Sequence, residues 1–408
     1  MTVPNTTVEI GFDLSSLGGP FFTLDDSVQG VLDNTEFVLG GSLFYDVSEY
    51  LLGVQVDRGK SRELDRYSAG QASALLDNRA RAFDPLNTSS PFYGQIIPHR
   101  EIRIRSNGTA VFQGLIDDWN LLYQPSGDNQ AVAIASDGFT LLATQSLSAH
   151  TAISQLTGAR ITAVLDRSEV AWPADTRVID TGQATLQADV VDEGTNVLDY
   201  LQIVNFSEPG AIFIGKNGYF NFQERVQPLS SSGIQAFTDD GTGIPFNNLQ
   251  VVYGSEQLYN RITVTRLNGT TQVANDTDSQ NQYGISTLDQ DGLLLNTDAD
   301  ADLLAEYLLT RYSEPEYRFE ALELEMANLS TAQQNNVLSL ELTDVIQVKF
   351  TPNNIGSQIN KYAQITGIQH RTNSISHSVT IRLSTLDYAN FVLDDSVFGI
   401  LDTSALGF

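Results

Sequence analysis

The chain has 408 residues, 41% of them hydrophobic, and a formal net charge of −28. This composition is too apolar for a disordered protein, and the length allows roughly two to four domains with buried cores. The acidic balance argues against binding along nucleic acid, and the lack of cysteine excludes disulfides, thiolate metal sites and a cysteine nucleophile. No apolar run approaches the roughly 18 residues that span a bilayer, so we predict no membrane segment.

The N-terminal segment, 1–41, is predicted to be an extended arm carrying a peptide that recurs in the C-terminal arm, 391–408. The peptide FTLDDSVQGVLD at 22–33 returns as FVLDDSVFGILD at 391–402, with nine of twelve positions identical. Copies separated by almost the whole chain are not neighbouring units of a solenoid. We interpret them as two copies of one docking peptide for two equivalent sites. The alternative, that each copy packs on its own domain, stays open.

Strand addition to an exposed groove is the docking mode that this peptide favours, because its apolar side chains can anchor on alternate positions. The groove can belong to this protein or to a neighbouring one. The residues predicted to make the contacts are Phe22, Leu24, Asp25, Asp26, Val28 and Leu32 in the first copy and Phe391, Leu393, Asp394, Asp395, Val397 and Leu401 in the second.

Residues 42–147 are predicted to form a first tube-like β-barrel domain. Small or apolar residues fill every second position of 70–78, which indicates a strand with one buried face. The segments 101–105 and 111–116 flank Asn107-Gly108, a pair typical of a tight hairpin turn. Another short strand is expected at 131–135.

Residues 148–232 have the mixed pattern of an α/β domain. Ile161, Val164 and Leu165 lie at helical spacing, and we expect that helix to end at Pro173. A second amphipathic helix is predicted around 197–204 and is expected to end near Pro209. The segments 211–214 and 219–222 are predicted to form a hairpin.

Residues 233–390 are predicted to form a second β-rich domain with tube-like barrel elements. Thr297 and Asp300 have the spacing of a capping box, and so do Ser330 and Gln333. Strands are expected at 345–350, 362–368 and 378–383. The buried stripe of the first helix is predicted to consist of Leu303, Leu304, Tyr307 and Leu308.

A weaker repeat relates 102–117 to 345–369. Each segment has a strand, a connection and a second strand interrupted by a glycine, Gly114 or Gly367. Glycine within a strand commonly marks a bulge or a bend in a barrel. We interpret the similarity as duplication of a β-barrel, with chance similarity between hairpins as the alternative. The predicted fold is therefore α+β and β-rich, with two tube-like β-barrel domains, a mixed α/β domain between them and extended terminal arms.

The stretch from Arg58 to Arg105 is basic, with nine Lys or Arg against five Asp or Glu. One interpretation is an ordinary surface with internal ion pairs. The other is a contact with the acidic surface of another copy of the chain.

No catalytic, cofactor-binding or metal-ligating residues are predicted, and we expect the protein not to be an enzyme. Asp298, Asp300 and Asp302 have the spacing that begins a calcium loop, but the glycine and glutamate that complete it are absent. Carboxylates in the first turn of a helix are the preferred interpretation. Paired acids are frequent, among them Asp25-Asp26, Asp117-Asp118, Asp239-Asp240 and Asp394-Asp395, and no pair stands out. The four histidines are scattered, and His370 and His377 are expected near strand ends at the surface.

Several segments together resemble the minor tail proteins, or baseplate hub proteins, of long-tailed bacteriophages. The resemblance covers roughly 42–388 and is most specific in RGKSRELD at 58–65, AGQASALLDNR at 69–79, FDP at 83–85 and SPFYG at 90–94. It continues through 172–175, 239–245, 258–264 and 305–315.

The resemblance implies a structural virion protein at the tail tip, assembled in the host cytoplasm. It implies a homotrimer in which two barrels per chain form a pseudo-six-fold ring that caps the tail tube and guides DNA ejection. The implied partners are the distal tail or tail tube protein, the tape-measure protein, a central fibre or other baseplate proteins, and genomic DNA passing without sequence-specific binding. The alternative is a carbohydrate-binding or carbohydrate-degrading tail component. That role favours exposed aromatic residues, whereas Trp119 and Trp172 are expected in cores.

Overall fold

The computed structural model describes residues 2–12, 43–225 and 234–386. In the first region the elements are β1 (Thr6–Phe12), β2 (Leu43–Asp46), β3 (Leu51–Gly59), β4 (Ser68–Asp77), β5 (Glu101–Ser106), β6 (Thr109–Leu122), β7 (Gln130–Ser136) and α1 (Gly138–Thr144). In the middle region they are β8 (Ser146–Leu147), β9 (His150–Ala152), β10 (Gln155–Leu156), α2 (Thr157–Leu165), β11 (Arg177–Ile179), β12 (Thr185–Leu186), β13 (Asp189–Val191), β14 (Thr195–Asn196), α3 (Val197–Phe206), β15 (Ala211–Ile214) and β16 (Phe220–Gln223).

The last region contains nine strands and three helices. They are β17 (Gln235–Thr238), β18 (Asn248–Tyr253), β19 (Arg261–Arg266), β20 (Gln272–Asn275), α4 (Thr277–Tyr283), β21 (Thr287–Leu293), α5 (Asp298–Tyr312), β22 (Tyr317–Glu325), α6 (Thr331–Ser339), β23 (Val345–Phe350), β24 (Ile359–Asn373) and β25 (His377–Leu386). No helix in these described ranges is both long and apolar enough to cross a bilayer.

One 13-stranded sheet runs through both β-rich regions. Its order is β18-β22-β25-β24-β3-β4-β7-β6-β5-β1-β2, and β23 joins β17 to β24 beside this path. The two regions meet where β24 pairs antiparallel with β3. The β-rich α+β class is confirmed, but the strands of the described residues form one continuous sheet that closes no barrel. The sequence shows alternation within each strand and not which distant strand lies beside it.

The local strand patterns of the first region are confirmed. Residues at positions 70, 72, 74 and 76 of β4 are buried, as the alternation predicts. Ser106 of β5 pairs with Thr109 of β6, so Asn107 and Gly108 form a two-residue turn. Their φ angles are 47° and 77°, the positive values that a type I′ hairpin turn requires and that Asn-Gly supplies.

The middle region packs helices against small sheets, as predicted, but α2 ends earlier than expected. It ends at Leu165, whose carbonyl accepts a hydrogen bond from the Trp172 amide (3.1 Å) as the chain turns back. Pro173 therefore does not stop this helix and instead precedes a single 3-10 turn. The helix α3 ends at Phe206, close to the predicted Pro209.

Both predicted capping boxes are present at α5 and α6. The predicted buried stripe of α5 is wrong at Leu303, which is 61% exposed. The helix instead buries Ala301, Leu304, Ala305 and Leu308, because small residues at 301 and 305 allow close packing on β19 and β20. These residues belong to a second core that is separate from the core of the large sheet.

The second core belongs to an insertion between two neighbouring strands of the large sheet. Tyr253 at the end of β18 pairs with Tyr317 at the start of β22. The intervening chain forms the three-stranded sheet β20-β19-β21 with α4 and α5. The edge of the large sheet therefore carries a small α/β unit, and the pairing of β18 with β22 continues up to it through one register shift between Gln250 and Val251.

Candidate assembly site

The twelve residues predicted to dock lie in 13–42 and 387–408, outside the described residues. The described strands show where these segments attach. Phe12 of β1 pairs with Leu43 of β2, so the first segment leaves and re-enters at one end of a hairpin. The second follows β25. Docking by these peptides stays a prediction.

The described residues bring together a different site, the joint between the two halves of the sheet. Residues 53–59 of β3 pair with 367–373 of β24, and Gly59 lies opposite Gly367. A register shift between Ile365 and Gly367 makes Thr366 a bulge. A Cβ on Gly59 would lie 2.2 Å from the Thr366 carbonyl oxygen, and the φ of Gly59 is +104°. Only glycine fits there without displacing the backbone.

Two arginines tie the strands of this joint together. The Arg382 guanidinium donates to Asp57 Oδ1 (2.6 Å), to the Arg58 carbonyl (2.9 Å) and to the Lys60 carbonyl (3.0 Å). Arg58, which is 3% exposed, donates to Glu341 Oε1 at 2.8 Å. Buried charges need such partners, because an unpaired charge in a core is strongly destabilising.

The turn after β3 is bound to α5 by the half-buried carboxylate of Glu63. Glu63 accepts hydrogen bonds from Arg311 Nε (2.7 Å) and from the Tyr312 hydroxyl (2.9 Å). Burial alone would raise the pKa of Glu63, but the Arg311 charge and these hydrogen bonds hold it below its usual range. Burial also lowers the pKa of Lys60 to about 8. The insertion is thus fastened to the joint through ionised groups.

His370 and His377 form a buried pair, which corrects their predicted surface positions. They are 6% and 1% exposed, and His370 Nδ1 lies 3.1 Å from His377 Nε2. Burial, together with the neighbouring His377, lowers the pKa of His370 well below its usual value, and burial lowers the pKa of His377 to about 4. Strand ends are buried here because β24 is flanked by β25 and β3 up to its last residues.

The basic stretch is mostly neutralised within the chain, which favours the internal ion-pair interpretation over a contact with another copy. Six of its nine basic residues have a carboxylate partner. The pairs are Arg58–Glu341 (2.8 Å), Arg62–Glu256 (3.1 Å), Arg66–Asp199 (3.9 Å), Arg79–Asp77, Arg81–Asp84 (2.6 Å) and Arg105–Glu9 (3.6 Å).

The two halves of the sheet repeat one arrangement in detail. Before β5, the His99 amide donates to the Ile116 carbonyl (2.7 Å), and the Ile116 amide donates to the Arg100 carbonyl (2.8 Å). Before β23, the Thr343 amide donates to the Ile365 carbonyl (2.8 Å), and the Ile365 amide donates to the Asp344 carbonyl (2.8 Å). His99 and Thr343 both have positive φ, at 62° and 73°.

A bulge follows in each half, and the strand order also repeats. Register shifts place the bulges at Asp117 and Thr366. The order β3-β4-β7-β6-β5 in the first half matches β18-β22-β25-β24-β23 in the second. The structural equivalence pairs Ile116 with Ile365. It therefore corrects the match of Gly114 with Gly367 made from the sequence, since Gly367 corresponds to Asp118.

Several acidic candidates from the sequence are engaged in structural contacts. Asp239 accepts from the Thr351 amide (2.7 Å), and Asp117 accepts from Ser136 Oγ (3.1 Å). Asp298 pairs with Arg266 Nε (2.5 Å), and Asp300 closes the capping box of α5. Within the described ranges no three His, Asp or Glu side chains are grouped as metal ligands. The pairs Asp25-Asp26 and Asp394-Asp395 lie outside them.

Both tryptophans pack against the core, as predicted. Trp119 stacks on Phe83 at 5.9 Å between ring centroids, and its Nε1 donates to the Ile97 carbonyl (3.2 Å). Trp172 packs edge-on against Phe220 at 6.0 Å. Neither forms an exposed aromatic platform for a sugar.

No family model and no curated protein matches the chain. Solved structures do. A tail protein from Neisseria meningitidis MC58 has 11% identity and a TM-score of 0.59, with 94% of this chain and 97% of that chain covered. The 43 kDa tail protein of prophage MuSo2 from Shewanella oneidensis has 12% identity and a TM-score of 0.59, with 93% and 98% covered.

The chain has the fold of these tail proteins. A PdpA–VgrG complex is also similar, at 12% identity and a TM-score of 0.51, with 94% of this chain and 65% of that chain covered. The resemblance predicted from the sequence is confirmed at the level of fold.

Proposed function

We propose that this protein is a structural component of a phage virion, a baseplate hub at the tip of the tail. The observation that carries the proposal is the duplication, which gives each chain two equivalent β-rich units with matching hydrogen bonds and bulges. Three chains then supply six similar tube-like units, which suits a ring under a six-fold tail tube. The fold shared with tail proteins supports this role.

The role is mechanical rather than enzymatic. The ring caps the tube, contacts the distal tail or tube protein, the tape-measure protein and a central fibre or other baseplate proteins, and lets DNA pass on ejection. A net charge of −28 supports passage, because a like-charged wall repels the DNA backbone. The duplicated bulges and turns serve to position strands. Trp119 and Trp172 pack against phenylalanines, which does not favour the carbohydrate-binding alternative.

The mass of the assembled particle tests the proposal. We expect light scattering of the purified protein, alone or with a tail tube protein, to give three chains per particle. Electron-microscopy class averages should show three-fold symmetry with six similar lobes. A protein that stays monomeric with its tail partners, or one that degrades peptidoglycan or polysaccharide, would contradict the proposal.

We further propose that the two repeat peptides dock in equivalent grooves of this ring or of a neighbouring tail protein. Phe22 and Phe391 would anchor the two copies, supported by the acids Asp25-Asp26 and Asp394-Asp395. Deleting 391–408 should reduce ring or tail assembly. Phe398→Gln is the matched control, since glutamine stands at the equivalent position 29 of the first copy. Unchanged assembly after the deletion would contradict docking by the repeat peptides.

A further inference from the structure

The chain contains three Asn-Gly pairs, at 107–108, 217–218 and 268–269, and each lies in a tight turn. This pair forms turns well, but its asparagine is also chemically labile. Glycine has no Cβ to shield its backbone nitrogen, so the amide carbon of the preceding asparagine can approach that nitrogen closely. Its approach in the folded chain depends on what holds the asparagine side chain and the glycine amide.

The first pair is held most firmly. Asn107 Oδ1 accepts a hydrogen bond from the Asn5 amide (3.0 Å), and Asn107 Nδ2 donates to Gln334 Oε1 and to Asn335 Oδ1, both at 3.3 Å. Three hydrogen bonds must therefore break before this side chain can turn towards the nitrogen of Gly108.

The second pair is held by two hydrogen bonds. Asn217 Oδ1 accepts from the Tyr219 amide (3.2 Å), and the Gly218 amide donates to the Gly215 carbonyl (2.9 Å). The first bond directs the side chain of Asn217 away from its own neighbour, and the second occupies the nitrogen of Gly218. Both must open before the two groups of this pair can meet.

The third pair is the least restrained. Asn268 is exposed between β19 and β20, and its side chain makes no hydrogen bond with the described residues. The Gly269 amide donates to the Arg266 carbonyl (3.0 Å), which is the one bond that has to open. The φ of Asn268 is 59°, a left-handed conformation that is strained for a residue with a Cβ, so opening the turn also relieves strain.

We propose that Asn268 is a site of spontaneous deamidation in the folded chain, with water as the only co-reactant. The Gly269 nitrogen attacks Cγ of Asn268, and a C–N bond forms. The bond from Cγ to Nδ2 breaks, and Nδ2 leaves as ammonia with the proton that the Gly269 nitrogen gives up. Water then opens the cyclic imide at one of its two carbonyls, which gives aspartate or isoaspartate. This chemistry needs no partner chain and is independent of the hub role.

The turn that contains Asn268 is also where the insertion contacts the middle region. Gln187 Nε2 donates to the Leu267 carbonyl, and Arg266 Nη1 donates to Gln187 Oε1, both at 3.0 Å. Arg266 Nε in addition pairs with Asp298 Oδ1 (2.5 Å). The two residues that precede Asn268 therefore carry this contact.

Conversion of Asn268 adds a negative charge to the turn and, in isoaspartate, one backbone methylene. A Cβ on Gly269 would lie 2.3 Å from Arg266 Cγ and 2.6 Å from Asp298 Oδ1, so the turn has no room for a longer backbone. The new carboxylate also competes with Asp298 for Arg266. The insertion is then held less firmly at Gln187. In a particle that makes no new protein, as the proposed function implies, converted chains accumulate with age.

Peptide mapping by mass spectrometry tests the site on the full-length chain, incubated in the folded state at mildly alkaline pH. We expect Asn268 to convert at least about tenfold faster than Asn107, because one hydrogen bond must open at the third pair and three at the first. Asn217 should lie between them. In concentrated urea the three pairs should convert at similar rates. Similar rates in the folded chain would overturn the proposal.

Two variants separate the site from general instability. Asn268→Gln should stop the conversion at 268 and leave the other two rates unchanged, because a glutamine side chain must close a larger ring. Asn335→Ala, at an exposed position, removes one hydrogen bond to Asn107 and should accelerate conversion at Asn107 only. An unchanged rate at Asn107 in that variant would contradict protection by hydrogen bonds.

Hydrogen exchange tests the consequence for the contact. The Gln187 amide donates to the Leu294 carbonyl (2.8 Å) of the insertion, and we expect this amide to exchange several-fold faster in aged than in fresh protein. Aged Asn268→Gln protein should exchange like fresh protein. Conversion at 268 without faster exchange at Gln187 would overturn the effect on the middle region. The number of chains per particle tests the hub role separately.

Discussion

His370 and His377 share a hydrogen bond away from water, on β24 and β25, and Arg58 of β3 and Lys216 add positive charge nearby. Charging either ring is therefore unfavourable in the folded chain. The amide of His377 donates to Glu325 Oε1 (3.1 Å), which holds its backbone in place. The pair belongs to the joint between the halves and makes that joint sensitive to acid.

We predict that stability falls as the pH drops from about 6.5 to about 4. The pKa of His377 is near 6.5 when the chain is unfolded and lowered to about 4 when it is folded, so the unfolded state takes up protons first over this range. His377 contributes about 3 kcal/mol to the free energy of unfolding above pH 6.5, and this contribution is lost as the pH falls to about 4. Thermal midpoints measured from pH 7.5 to 4 check it, and His377→Gln should flatten the profile. An equal slope in that variant would contradict the assignment.

Gly59 is predicted to tolerate no side chain. Gly59→Ala should destabilise the protein by about 2–5 kcal/mol, because the Cβ meets the Thr366 carbonyl and the φ is positive. Gly356→Ala is the control, since its φ is +83° with nothing within 4 Å, and it should cost about 1 kcal/mol. Denaturant unfolding measures both. Equal losses would show that the contact with Thr366 is unimportant.

At the scale of elements, the helix α5 depends on its cap rather than on an ion. Thr297→Ala should destabilise the protein by about 1 kcal/mol, because it removes the bond to the Asp300 amide (3.1 Å). Asp302→Ala, at an exposed position one turn further along α5, should be nearly neutral. Calorimetry with and without millimolar calcium provides the second readout. A calcium-dependent rise in thermal midpoint that Asp302→Ala abolishes would contradict the capping interpretation.

Elements with local signals could be predicted from the sequence. Asn107-Gly108 requires a tight turn, and Thr297 with Asp300 caps a helix, because the interacting groups lie within a few residues. The exposure of Leu303 was predicted wrongly, since it depends on how α5 packs against β19 and β20. The end of α2 was also predicted wrongly, since the chain turns back at Leu165 before it reaches Pro173. The candidate site was missed for the same reason: Gly59 and Gly367 meet only through long-range pairing. The glycines themselves were the available signal.

At the scale of the whole molecule, charge determines the response to nucleic acid. We predict no binding of duplex DNA at neutral pH and about 150 mM salt, because 50 acidic residues outnumber 22 basic ones, most of the basic stretch is paired internally, and long-range repulsion dominates. Fluorescence anisotropy of a labelled DNA duplex, titrated with the protein, measures this binding. A salt-sensitive rise in anisotropy would reveal a basic surface that the ion pairs do not neutralise.

The pairing of β3 with β24 also determines the order of events during synthesis. β3 leaves the ribosome about three hundred residues before its partner on β24 exists. At about 5–20 residues per second, its edge stays open for on the order of 15–60 seconds. Asp57 and Arg58 place charges on that waiting edge, and charged edges resist pairing with other chains. The joint therefore closes only once β24 has been made, late in synthesis and followed only by the pairing of β25. Slowing translation after β3 should increase misfolding more than slowing it after β24.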